Sequence, residues 1–277
     1  MKVALRGVGK TFEGKYPVVA LDGIDLSVGA GEFVCLLGPS GCGKSTLLNI
    51  IAGLDTPTFG EVLVNGQPVH GPGTDRVVIF QTAALFPWLD VLANVEFGPR
   101  MAGAPKRQCE EIARRYLRMV HLLDFERTFV HQLSGGMKQR VALARALALD
   151  PDVLLMDEPF GALDAQTRDL LHDELQNIWS ATAKTVLFVT HNVREAIVLG
   201  DRVLVLSPRP GRIKQEFAID LPRPRQIENY AVVDLSREIL EVLKDGAGAA
   251  LLQHRQRSGA DAGSISAARS RADEDLP

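Results

Sequence analysis

The nine residues Gly38-Pro39-Ser40-Gly41-Cys42-Gly43-Lys44-Ser45-Thr46 limit what this chain can be more than any other stretch. The apolar run Phe33–Leu37 before them reads as a buried strand, and Thr46–Ala52 after them reads as a helix closed by Gly53. A strand, a glycine-rich turn and a helix in that order predict a loop that binds phosphate. Gly38, Gly41 and Gly43 let consecutive backbone N–H groups point inward at phosphate oxygens with no side chain in the way. The helix start adds partial positive charge, Lys44 supplies a full charge for β- and γ-phosphates, and the Ser45 hydroxyl is placed to ligate Mg²⁺.

At 277 residues, 46% hydrophobic and 23% charged, the chain can bury a substantial core, and one large domain is expected. A net charge of −3 and no obvious basic patch argue against a nucleic-acid partner. Cys35, Cys42 and Cys109 show no C-x-x-C pairing, so neither a disulfide framework nor a zinc site is expected, and a reducing cytosol fits. The longest apolar runs fall short of the ~18 residues a bilayer span needs. The chain is therefore expected to be neither secreted nor membrane-spanning by itself.

From the start, Val3–Val8 reads as a strand, 12–17 as a loop and Val18–Val28 as a further strand region with a turn at Asp22-Gly23, giving a hairpin or meander. Phe12 is either core or a ring for stacking on a purine, with Tyr16 as the competing aromatic. Gly60–Asn65 alternates into an Asn65-Gly66 turn, and Arg76–Phe80 is a buried strand ending at Gln81. Gln81 either caps the strand or, at the carboxyl edge of an α/β sheet, reaches a metal ion or an attacking water. Residues 85–150 read as a helical insertion. Its Phe86, Trp88 and Leu89 are either core or the lining of a groove for a partner helix.

Leu133-Ser134-Gly135-Gly136-Met137-Lys138-Gln139-Arg140 opens a helix running to Ala148, with Ser134 as N-cap and Gly135-Gly136 baring backbone N–H groups at a second anion site. Val153–Met156 is a buried strand delivering Asp157 and Glu158. There Asp157 is suited to hold Mg²⁺ through its water shell, and Glu158 to orient and deprotonate a water. Ala162-Leu163-Asp164 precedes a helix with Leu170, Leu171, Leu175 and Ile178 at helical spacing. Thr185–Thr190 is another buried strand, and it places His191 at the same sheet edge, within reach of a γ-phosphate.

Together these motifs resemble the ATP-binding subunit of an ABC (ATP-binding cassette) transporter over residues 1–220. They match its Walker A loop (Gly38–Thr46), Q-loop (Gln81), signature (Leu133–Arg140), Walker B run (Val153–Glu158), D-loop (Ala162–Asp164) and switch histidine (His191). The resemblance implies an α/β P-loop core with an antiparallel β subdomain and an inserted α-helical subdomain. It implies a head-to-tail dimer in which ATP and Mg²⁺ lie between the Walker A loop of one copy and Ser134, Gly135 and Gly136 of the other, with Asp164 beside them. Glu158 is then the catalytic base, His191 reads the γ-phosphate, and Gln81 links nucleotide and metal to an integral membrane permease subunit. Leu85–Trp88, Ser207–Ile213 and Leu221–Arg225 are similar to the nitrate, sulfonate and taurine importer branch. That branch implies a peripheral location on the cytoplasmic face of the inner membrane, with a periplasmic solute-binding protein as an indirect partner. An ABC ATPase that clamps nucleic acid or ribosomes would bring coiled-coil insertions, zinc modules or a second cassette, and a GTPase would bring N-K-x-D; the sequence carries none of these.

Pro208-Arg209-Pro210-Gly211 also reads as a rigid hairpin turn between the strands Arg202–Leu206 and Ile213–Asp220. Val232, Leu235, Ile239 and Val242 share one face of a terminal amphipathic helix, closing a nucleotide-binding domain over 1–245. Residues 246–277 are too poor in large apolar side chains to pack and read as a disordered tail. Cys42, beside Lys44 and a helix start, is expected to be a reactive thiolate that ATP protects, or else simply a small loop residue.

Overall fold

The computed structural model describes residues 1–244, and the stretch read above as a tail, 246–277, lies outside the described residues. Strands β1 (Val3–Phe12) and β2 (Val18–Val28) form the expected antiparallel hairpin. The turn expected at Asp22-Gly23 is absent, because β2 runs straight through it. Gly23 takes a φ of +64°, and the pairing shifts register between Val8↔Ile24 and Lys10↔Leu21. A glycine in the left-handed region absorbs the extra residue as a bulge, so the strand bends without ending.

Next come β3 (Phe33–Leu37), α1 (Lys44–Ala52), β4 (Phe59–Val64), β5 (Gln67–Pro68) and β6 (Arg76–Ile79). Strands β4 and β5 join the hairpin in a four-stranded antiparallel sheet ordered β2-β1-β4-β5. The insertion after β6 holds α2 (Val91–Met101), α3 (Lys106–Met119) and α4 (Gly135–Ala148). The Asp90 carboxylate caps α2 by accepting from Ala93 N–H at 2.7 Å. The buried Asn94 amide ties α2 to the preceding segment through the backbone of Phe86, Leu89 and Asp90.

The chain continues through β7 (Val153–Asp157), α5 (Ala165–Thr182), β8 (Thr185–Thr190), α6 (Val193–Leu199), β9 (Arg202–Leu206), β10 (Ile213–Ala218) and a terminal helix α7 over 230–244. The second sheet is ordered β10-β9-β3-β8-β7-β6, parallel except for the edge strand β10. β3 and β8 are buried at every position, as strands covered on both faces must be. Because β3, β6, β7 and β8 run the same way, the residues after Leu37, Ile79, Met156 and Thr190 all emerge on one edge.

One side chain departs from the burial that its helical spacing suggests. Leu170 is 55% exposed although Leu171, Leu175 and Ile178 are buried, so α5 buries a narrower stripe than the apolar pattern suggests. On α7, Val232 and Ile239 are fully buried, with Leu235 and Val242 packed against the core.

Ahead of α7, the buried Arg225 fastens the chain to the domain. Its guanidinium donates to the carbonyls of Ile197 (2.7 Å), Gly200, Ile219 (3.0 Å) and Leu221 (3.0 Å). Burial pulls its pKa down to about 10, which still leaves it charged at neutral pH. Arg225→Met would strand these carbonyls without water. It is expected to cost roughly 3 kcal/mol and to lower Tm by about 6–12 °C, read by thermal denaturation.

Candidate nucleotide site

The loop after β3 folds around its own lysine. Lys44, almost fully buried, donates to the carbonyls of Gly38 (2.8 Å) and Pro39 (3.1 Å), and its ammonium stands 3.9 Å from Glu158 Oε1. Gly41 and Gly43 have φ of +75° and +106°. A Cβ on Gly43 would lie 2.9 Å from the Ala20 carbonyl, so glycine is required there both for conformation and for room. Beside the loop lies a cavity of about 290 Å³. It is lined by the polar Lys44, Ser45, Thr46, Gln81, Asp157 and Glu158, by the apolar Phe12, Val18 and Ala20, and by Ser40, Gly41, Gly43 and Arg209. Phe12 is 44% exposed and lines this cavity, whereas Tyr16, 79% exposed, is not among the lining residues.

Ser45 Oγ donates to Asp157 Oδ1 at 3.0 Å, and Gln81 faces the same space. A hydroxyl, a carboxylate and an amide are hard oxygen donors, too few to enclose a cation alone. That set suits Mg²⁺, which keeps waters and shares phosphate oxygens. Burial, and then the neighbouring Glu158 charge, raise the Asp157 pKa. Glu158 follows β7 at a φ of +44°, its N–H bonded to the Val189 carbonyl at 3.0 Å. This left-handed backbone places the carboxylate at the cavity, where Oε2 meets His191 Nδ1 at 2.8 Å.

The signature residues lie elsewhere. Ser134 caps α4, its Oγ accepting from Met137 N–H at 3.2 Å. None of Ser134, Gly135, Gly136 or Asp164 lines the cavity of its own chain. A Cβ on Gly135 would meet Leu163 at 3.3 Å, and one on Gly136 would meet Thr167 at 2.6 Å, so this turn packs on the segment that opens α5. Asp164 caps α5 by accepting from Thr167 N–H (2.9 Å) and Oγ1 (2.7 Å), bonds that hold its pKa down.

The family model described as "ABC transporter" matches residues 21–161. The chain is 53% identical to an uncharacterized ABC transporter ATP-binding protein of Methanocaldococcus jannaschii, over 88% of this chain and 92% of that protein. This chain belongs to the ABC transporter family. Its relatives include a nitrate import ATP-binding protein of Synechocystis, 48% identical over 86% of this chain and 90% of that one. A taurine import ATP-binding protein of Burkholderia pseudomallei is 53% identical over 74% and 79%. Among solved structures, a dimeric ATP-binding cassette in a post-hydrolysis state bound to ADP and Pi superposes with a TM-score of 0.70. It is 35% identical and covers 79% of this chain and 100% of that one. The family and the α/β cassette fold read from the motifs are thus those that the comparisons find.

At the site, the first of the two readings of Cys42 fails. Cys42 is 1% exposed, and burial raises its thiol pKa despite the nearby Lys44 charge. The side chain turns under the loop, so that a Cβ on Gly38 would fall 2.8 Å from its Sγ. Only its backbone is available to a phosphate, and a buried thiol is unreactive. Alkylating reagents are expected to modify Cys42 far more slowly in the folded cassette than in denaturant, as a thiol titration followed over time would show.

Other residues were not singled out from sequence. Gln139 on α4 donates to the Gln81 carbonyl at 2.7 Å, and Arg145 on the same helix donates to the carbonyls of Ala84 (2.9 Å) and Ala83 (3.2 Å). The signature helix therefore grips the Q-loop backbone. Behind His191, Thr190 Oγ1 donates to the buried Glu195 carboxylate and accepts from Asn192 N–H at 3.0 Å, while His172 of α5 meets Glu195 at 2.8 Å. No spacing signal marks the contacts of Gln139, Arg145 and His172, because each joins segments far apart in the chain.

Proposed function

We propose that this chain is the ATP-hydrolysing subunit of an ABC importer for a small solute of the nitrate, sulfonate or taurine kind, acting through a nucleotide-binding domain over residues 1–245. The observation that carries the reading is the Glu158 carboxylate on the rim of a phosphate-binding cavity, 2.8 Å from His191 and 3.9 Å from Lys44. The loop N–H groups and Lys44 hold the phosphates, and Phe12 offers a face to the adenine. Mg²⁺, held by Ser45 and Asp157 with Gln81 nearby, supplies charge neutralisation at the transferring phosphoryl group. Glu158 takes a proton from the attacking water, and His191 orients that carboxylate and contacts the γ-phosphate.

The exposed Ser134 and Gly135, with the buried Gly136 behind them, supply a second anion site for the nucleotide of another copy. Membrane permease subunits bind the groove of about 280 Å³ between the sheet edge and the insertion, lined by Phe80, Ala83, Phe86, Phe97 and Leu149 among others. Phe86 packs 4.4 Å from Phe97 with Arg145 over its ring at 5.3 Å, forming the groove wall, whereas Trp88 is 71% exposed beside it. This combination of wall and exposed ring favours the groove reading over plain core. The complex sits on the cytoplasmic face of the inner membrane and takes solute from a periplasmic binding protein.

Deleting the gene is expected to abolish high-affinity uptake of one such solute, with growth on nitrate, taurine and alkanesulfonates as sole nitrogen or sulfur sources as the screen. Unchanged uptake of all three classes would remove the solute assignment. Failure to co-purify with any integral membrane protein would remove the importer assignment.

A further inference from the structure

The turn between β9 and β10 was read above as a rigid connector, yet one of its side chains lines the nucleotide cavity. Arg209 Nε and Nη2 both donate to the Gly41 carbonyl, at 3.3 and 3.2 Å. These two bonds converge on one acceptor, and they are the only hydrogen bonds Arg209 makes among the described residues. Three of the five guanidinium N–H groups stay available at the rim of the cavity. The neighbouring Arg212 differs, since it is committed to the Asp22 carboxylate.

The scaffold beneath Arg209 is firm. Ser207 Oγ donates to the Pro210 carbonyl at 2.8 Å and accepts from Arg212 N–H at 3.0 Å, closing the turn. Gly211 N–H donates to Ala20 O at 2.9 Å, and Asp22 N–H donates to Gly211 O at 3.0 Å, so the turn is stitched to β2. A Cβ on Gly211 would lie 2.2 Å from the Cys42 carbonyl, so the turn also rests on the phosphate loop. Arg209 therefore lines the cavity bonded to Gly41, together with the apolar Phe12, Val18 and Ala20. In a nucleotide, the ribose and α-phosphate join a base on such apolar side chains to phosphates in such a loop.

We propose that Arg209 is a nucleotide-binding residue that donates to the ribose and α-phosphate segment. This rests on the reading of the cavity as a nucleotide site. A guanidinium facing an anion forms charge-assisted bonds, and it leaves β- and γ-phosphate recognition to Lys44 and the loop.

The test is calorimetric titration of wild type and Arg209→Ala with MgATP, MgADP and magnesium pyrophosphate, which lacks both the ribose and a counterpart of the α-phosphate. Arg209→Ala is expected to weaken ATP and ADP alike by about tenfold and to leave pyrophosphate affinity as in wild type. Arg209→Lys is expected to fall between the two proteins, and KM for ATP to rise by more than kcat falls. Arg209→Gln keeps most of the stem and serves if the alanine variant does not fold. ATP and ADP affinities within twofold of wild type overturn the assignment, as does a pyrophosphate loss equal to that of ATP. A wild-type protein that binds none of the three ligands removes the cavity reading and this inference together. Wild-type binding that Arg209→Ala leaves intact removes this inference alone.

Discussion

Glu158→Gln is expected to lower ATP turnover by about 10²- to 10⁴-fold while ATP still binds. The amide keeps the size of the carboxylate and the backbone that places it, with N–H bonded to Val189 and a φ of +44°. What it loses is the capacity to accept a proton from water. It also loses a negative charge that stands 3.9 Å from the Lys44 ammonium and repels incoming phosphates, so affinity for ATP should hold or rise. The checks are steady-state phosphate release, a binding titration, and size-exclusion chromatography with MgATP, where the variant should accumulate as a dimer that wild type passes through only transiently. Turnover within a few-fold of wild type would take Glu158 out of its role.

The second large effect comes from mixing two inactive proteins. Lys44→Ala removes the buried cation from the phosphate loop. Gly135→Asp puts a carboxylate on the first turn of α4, where the helix dipole tolerates it but a partner's γ-phosphate would be repelled. Each variant alone is expected to be nearly inert. If each active site takes its loop from one copy and its signature from the other, a mixed dimer has one site with both lesions and one with neither. Random exchange at equal concentrations makes about half of the dimers mixed, and ATPase activity should reappear at a clear fraction of wild type. Cross-linked mixed dimers with no activity would rule out a site shared between copies.

Much of this site was legible because its chemistry is local. A strand, three glycines and a Lys-Ser pair are contiguous, and the parallel strands ending at Leu37, Ile79, Asp157 and Thr190 bring Gln81, Glu158 and His191 to one edge. Side-chain direction inside a loop was not legible. Cys42 has the neighbours of a reactive thiol, yet its Sγ turns inward. Asp22-Gly23 carries turn residues, but the pairing of β1 with β2 outweighs them and makes a bulge. Gln139, Arg145 and Arg209 act through contacts spanning 58, 61 and 168 positions. Each is a polar residue in a stretch whose own pattern explains it as helix surface or turn, and only the folded chain shows what it touches.

The signature turn packs on Leu163 and Thr167, away from the cavity that its own chain offers to nucleotide. If the signature of one copy closes the nucleotide of another, a lone copy holds only half of each reaction centre. In dilute solution the rate should scale with the square of protein concentration. When a permease holds two copies side by side, their effective concentration is fixed by the assembly rather than by the cell, and hydrolysis becomes first order. Free copies would consume almost no ATP, so expression in excess of the permease would carry little energetic penalty.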